Sequence, residues 1–134
     1  MSCGTTNGRH YVVDTFKASF WSTKVLAADI ANVGGDGTVF VLGEMSDMGR
    51  GHSSRYAAVG RIAAPLVDLV ILTGDAASGY DKLEREGYAN VLCAPTLDDL
   101  ARLLRELPQR LVILKSKSGT GLEKVAVMVE GQPP

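Results

Sequence analysis

Three features of the sequence predict an α/β sandwich. Apolar, strand-like runs alternate with helical patterns along the whole chain. One of those runs, Thr38–Gly43, is apolar almost throughout. The chain has 134 residues, the size of one domain with a single sizeable core. A strand that is apolar throughout is covered on both faces, which points to a parallel sheet between helical layers. Strands separated by helix-length segments give a three-layer, Rossmann-like sandwich with a mostly parallel five- or six-stranded sheet. Residues 1–134 read as one domain, with 1–9 and 130–134 as peripheral tails. Strand order is not legible from spacing.

The first unit is a strand over His10–Asp14, a loop, and a helix from about Ser22 to Val33. Tyr11, Val12 and Val13 are β-favouring. Ser22 is the expected helix cap, because a hydroxyl can accept a backbone N–H of the first turn. Gly34-Gly35-Asp36-Gly37 ends that helix, since glycine tolerates left-handed backbone. Thr38–Gly43 is the next strand, and the polar loop Glu44–Gly51 follows it. A helix then runs from His52 or Ser53 to Ala64 with Tyr56, Val59 and Ala63 inward, and Pro65 stops it. Val67–Gly74 is the third strand and its exit, Ala76–Gly87 a short polar helix, and Asn90–Ala94 the fourth strand. Thr96 caps a helix whose Leu97, Leu100, Leu103, Leu104 and Leu107 recur at helical spacing. Asp98 and Asp99 suit its positive end. Arg110–Lys115 is the last strand, and Leu122–Glu130 the last helix. Phe40, Leu42, Val70, Leu72, Val112 and Leu114 are the expected centre of the core.

Composition narrows the function classes. Net charge is −1, so no global basic field exists to hold nucleic acid or an anionic membrane. The longest apolar runs fall far short of a membrane span. No basic-then-apolar leader pattern opens the chain, which reads as cytoplasmic. Cys3 and Cys93 are the only cysteines. They lack the paired spacing of a zinc site, and a disulfide between them is not expected. His10 and His52 have no metal-ligand spacing. Gly119-Thr120-Gly121 lacks the rest of a dinucleotide fingerprint and follows the last strand rather than the first.

Asp14-Thr15-Phe16-Lys17-Ala18-Ser19-Phe20-Trp21-Ser22 follows the first strand, where open α/β sheets bind ligands. It resembles the Asp-Ser-Tyr-Asn-Ala-Asn-Pro-Asp-Ser loop that opens the C-terminal domain of Mur ligases. Asp14, Ala18 and Ser22 are identical. Val41-Leu42-Gly43-Glu44-Met45-Ser46-Asp47-Met48-Gly49 resembles the family's Val-Leu-Gly-Asp-Met-x-Glu-Leu-Gly stretch. The helix after it carries the family's Val-Gly pair as Val59-Gly60. Lys115-Ser116-Lys117-Ser118, followed by Leu122-Glu123-Lys124-Val125, resembles the family's Lys-Gly-Ser-Arg and Leu-Glu-x-Val close. The likeness extends from about Tyr11 to Val129, and is greatest to the ligase that adds D-alanyl-D-alanine to UDP-N-acetylmuramoyl-tripeptide.

The resemblance implies a domain that swings over a central ATPase domain, on the same or another chain, in an ATP-dependent, amide-forming ligase of peptidoglycan-precursor type. It implies that Asp14 reaches the ATP ribose, with Lys17 beside it. Glu44, Asp47, Lys115, Ser116, Lys117 and Ser118 would serve the incoming amino acid or dipeptide. Carboxylates suit ribose hydroxyls, and lysines at strand ends suit anions. Asp14, Glu44 and Lys115 each follow a different strand, so a parallel sheet would bring them to one edge and one shallow cleft. The departures fall in the same loops: Lys17 and Ser19 replace two asparagines, Phe20 a proline, and the arginine of the close is missing. No Gly-x-x-x-x-Gly-Lys-Ser/Thr phosphate loop occurs. ATP and Mg are therefore expected only in the context of a full-length ligase, with none held tightly by this domain and no turnover by this chain alone. On this view Asp14→Ala leaves folding intact. The alternative is a stand-alone Rossmann-like binding or interaction module without catalysis.

Overall fold

The computed structural model describes residues 2–6, 9–14, 18–33, 36–46 and 52–131. Among these, six strands form one sheet: β1 (Ser2–Thr6), β2 (Arg9–Asp14), β3 (Thr38–Leu42), β4 (Leu69–Thr73), β5 (Val91–Ala94) and β6 (Leu111–Lys115). Their order is β1-β2-β6-β3-β4-β5. The strands from β2 to β5 run parallel, and β1 alone is antiparallel, pairing Ser2 with Val13 and Thr6 with Arg9. Ser2–Thr6, within the stretch expected to be a tail, thus supplies an edge strand. The last strand in the sequence, β6, inserts between β2 and β3 and occupies the middle of the sheet.

Among the described residues, five α-helices cover it: α1 (Phe20–Val33), α2 (His52–Ala63), α3 (Tyr80–Arg85), α4 (Leu97–Arg105) and α5 (Val125–Glu130). Alternation along each strand sends side chains to two separate cores. Phe40, Leu42, Val70, Leu72 and Ile113 meet Ala27 of α1, Tyr56 and Val59 of α2, and Leu83 of α3. Val39, Val41, Ile71, Val112 and Leu114 meet Leu100 and Leu104 of α4, and Val125 of α5. The six residues expected at the centre of the core have no solvent exposure.

Helix starts follow local chemistry, with one correction. Thr96 caps α4, its Oγ1 accepting the Asp99 N–H at 3.1 Å. The cap of α1 is Ser19 and not Ser22: the Ser19 Oγ accepts the Ser22 N–H at 3.1 Å, and its carbonyl takes the Thr23 N–H. Phe20 is therefore the first helical residue, the place where proline fits best, and the Mur ligase loop has proline at this position. The polar helix expected over Ala76–Gly87 is divided into a 3₁₀ turn, Gly74–Gly79, and the short α3.

The end of α5 is anchored, although 130–134 reads as a tail. The Tyr11 hydroxyl donates to the Glu130 carboxylate at 2.7 Å, and Arg9 lies 3.8 Å from the same oxygen. Arg9 also donates to the carbonyls of Leu104, Leu107 and Gln109 around the end of α4. Burial, and then the Glu130 carboxylate, push the Tyr11 phenol up to about 12. Burial also pushes the Tyr56 phenol upward, as does Asp75. A raised folded pKa means that the native state holds the proton more tightly. This stabilisation is complete below the unfolded tyrosine value of about 10 and is lost as pH rises toward the folded value. Urea midpoints are thus expected to fall above about pH 10, with these two tyrosines resisting ionisation until the fold opens. Normal ionisation of all tyrosines in the folded protein would contradict the burial of both hydroxyls.

Candidate functional site

Because β2 to β5 are parallel, their carboxyl ends share one edge. Asp14, Glu44, Asp75, Pro95 and the Lys115–Thr120 loop all leave the sheet there. Asp14 pairs with Lys115 in the β2–β6 register, and Lys115 with Leu42 in the β6–β3 register. The Lys115 Nζ lies 2.9 Å from Asp14 Oδ2; its side chain is only 4% exposed, and that of Asp14 19%. A central strand buried on both sides leaves a terminal lysine few routes to water, and the neighbouring strand offers the carboxylate.

The loops at this edge are bound to one another. Ser116 is fully buried. Its Oγ accepts the Glu44 N–H at 3.1 Å and lies 3.1 Å from the Thr120 hydroxyl. The Lys117 N–H donates to the Glu44 carbonyl at 2.6 Å, and the Ser46 N–H to the Ala18 carbonyl. A Cβ on Gly43 would stand 2.8 Å from the Ser116 Oγ, so only glycine lets β3 pass this close to the loop. Lys117 and Glu44 form a solvent-facing ion pair at 3.6 Å. It orients the side chains more than it stabilises the fold.

A cavity of about 340 Å³ opens between the ends of β3, β4 and β5, lined by Glu44, Thr73, Asp75, Leu97, Thr120 and Leu122 among others. Its lining among the described residues carries two carboxylates, hydroxyls and apolar side chains, and no lysine, arginine or histidine. Asp75 is held from α2: the Tyr56 hydroxyl donates to Oδ2 at 3.3 Å, and His52 Nε2 is 3.8 Å from Oδ1. Tyr56 in turn accepts the Met45 N–H at 3.0 Å. A cavity of similar size, about 330 Å³, lies at the opposite edge among Arg9, Arg105, Arg110 and Glu130. Two of its arginines are already engaged, Arg9 by the Leu104 and Gln109 carbonyls and Arg105 by the Met128 carbonyl.

A family profile described as "Mur ligase, glutamate ligase domain" matches residues 2–118. The chain belongs to this family. Solved Mur ligase structures share its fold. In a MurF from Acinetobacter baumannii the match has a TM-score of 0.81 and 19% identity, and covers 98% of this chain. In the MurF of Thermotoga maritima, solved in complex with ADP, the values are 0.70, 18% and 97%. The chain spans about 30% of the length of either MurF. A domain from a putative UDP-N-acetylmuramate:L-alanyl-γ-D-glutamyl-meso-diaminopimelate ligase of Haemophilus ducreyi matches with a TM-score of 0.62 and 18% identity, over 96% of this chain and 94% of that one. No curated protein matches the chain in sequence.

For a Mur ligase domain, the predicted residues fall into two groups. Asp14, Lys115 and Ser116 converge over β2 and β6, while Glu44 faces the cavity over β3 and β4 and meets Lys117 at its rim. Ser118 is exposed on the loop between them. Lys17 and Asp47 lie outside the described residues. The expected cleft is at the expected edge but is displaced toward β4 and β5, so that Asp14 and Lys115 meet each other and not the cavity. Thr120, on the loop expected to face the substrate, lines the cavity, while Asp75 in its wall and Tyr56 behind Asp75 are additional. Asp75 has a legible signal: Leu72-Thr73-Gly74-Asp75 repeats the pattern of Leu42-Gly43-Glu44, an apolar strand leaving through glycine onto an acid. Tyr56 has none, because an inward tyrosine on a helix reads as core.

No helix among the described residues is long and apolar enough to cross a membrane, and no cluster of three or more metal-ligating side chains occurs among them.

Proposed function

We propose that this chain is the closing domain of an ATP-dependent, amide-forming Mur ligase acting on peptidoglycan precursors in the cytoplasm, and that its own contribution is the pocket for the incoming amine. The supporting observation is the acidic cavity at the carboxyl edge. Two carboxylates beside apolar walls suit a small ligand bearing an ammonium, which would compete with Lys117 for the exposed Glu44 carboxylate. About 340 Å³ suits an amino acid or a small dipeptide. The ligand's surplus proton must leave before its nitrogen can attack an activated carboxyl carbon, and Glu44 or Asp75 would take it.

ATP would lie beside this pocket rather than in it. Lys115 occupies one oxygen of Asp14, and the other suits a ribose hydroxyl. The fit is thus limited to one carboxylate. The phosphate grip would come from a central ATPase domain, on the same or another chain. Free ATP should then bind this domain only in the millimolar range, about 4 kcal/mol or less.

The test is an NMR titration of this chain with D-alanyl-D-alanine. Amide shifts are expected at Gly43–Met45 and Gly74–Ala76, in the millimolar range, and are expected to disappear with N-acetyl-D-alanyl-D-alanine or in Asp75→Asn. ATP turnover should be absent. Shifts confined to the Arg9–Arg110 edge, or equal binding of the acetylated peptide, would overturn the reading.

A further inference from the structure

We propose that Tyr56 is the positioning residue of this amine pocket, fixing the two acid-bearing loops relative to each other; this rests on the amine reading above. Glu44 and Asp75 follow different strands, β3 and β4, and nothing in the sheet register sets how their side chains face each other. Tyr56 connects them from below. Its ring is wholly buried. Its hydroxyl takes the N–H of Met45, the residue after Glu44, and gives its own proton to Asp75. Both capacities of one buried hydroxyl are therefore spent on the two sides of the pocket.

The helix beneath is seated to allow this. His52 and Tyr56 stand one turn apart on α2, with their rings edge to face at 6.0 Å, and present two polar groups to the same carboxylate. The turn that carries Asp75 rests directly on α2: a Cβ at Gly79 would be 2.9 Å from the Ala57 nitrogen and 3.0 Å from the Tyr56 Cβ. The Asp75 carboxylate is 40% exposed, so the Tyr56 hydroxyl and His52 are what hold it from the protein side. Such preorganisation raises affinity by removing motion that binding would otherwise have to arrest.

The variant is Tyr56→Phe, which keeps the ring and removes the hydroxyl. Without ligand, the Met45 amide should exchange with solvent faster. With D-alanyl-D-alanine as the probe, affinity should fall about three- to tenfold, the size of one net hydrogen bond. In an Asp75→Asn background, which already removes binding, Tyr56→Phe should still speed Met45 exchange, because the Tyr56 hydroxyl accepts that N–H directly. Tyr56→His is the second variant should phenylalanine not fold. Its shorter ring cannot reach both partners, and the same loss is expected. Wild-type shifts at the carboxyl edge that Tyr56→Phe leaves unchanged would overturn this inference alone, as would unchanged Met45 exchange. Absence of wild-type shifts at that edge would overturn the amine reading and this inference with it.

Discussion

Replacing Leu114 by alanine is expected to lower the unfolding free energy by about 2–5 kcal/mol, the range for deleting a large aliphatic side chain from a packed core. Leu114 has no solvent exposure. It sits on β6, between Val13 of β2 and Val41 of β3 in the parallel register. It also belongs to the core formed with α4 and α5. Strands hydrogen-bonded on both sides, with helices above, cannot collapse easily onto a vacated volume, so the cavity persists and its cost adds to the lost transfer energy. Net stability of a domain this small is about 5–15 kcal/mol, so the variant loses a large share of it. Urea unfolding should show a lower midpoint at an unchanged slope. The control is Leu103→Ala on the half-buried side of α4, which should cost less. An unchanged midpoint in Leu114→Ala would contradict a central, doubly covered β6.

The layers and the central strands were legible because their signals are local and redundant. Thr38–Leu42 and Leu111–Lys115 are apolar at nearly every position, and only burial on both faces makes that economical. The insertion of β6 between β2 and β3 was not legible, since strand spacing carries no information on order. β1 was missed for a different reason. Ser2–Thr6 contains no large apolar residue, and an edge strand paired on one side does not need one. At the site, residues that follow strands were readable and their contacts were not. Lys115 looked like a substrate cation because lysines at strand ends usually reach water. The central place of β6, unknowable from the sequence, turns it inward onto Asp14.

That inward turn changes what Asp14→Ala should do. From the sequence alone, Asp14 is a loop carboxylate whose removal leaves the fold intact. In the structure it stands 2.9 Å from an ammonium on a side chain only 4% exposed. Removing that carboxylate leaves a desolvated charge with less compensation, at a cost of about 1–3 kcal/mol or more. The change also loosens the junction between β2 and β6, where the Ser116 N–H donates to the Asp14 carbonyl. Asp14→Asn keeps an acceptor oxygen for Lys115 and should lose less. Pairing Asp14→Ala with Lys115→Met should recover part of the loss, because a buried ion pair exchanged for apolar groups is often close to neutral in stability. A double-mutant cycle followed by urea unfolding reads all three expectations. If Asp14→Ala alone stays within about 0.5 kcal/mol of the parent, as ordinary surface substitutions do, the Lys115 ammonium does not depend on Asp14. If the cost is found, a loss of ATP use in Asp14→Ala would not by itself report a ribose contact, and Asp14→Asn becomes the variant with which to measure it.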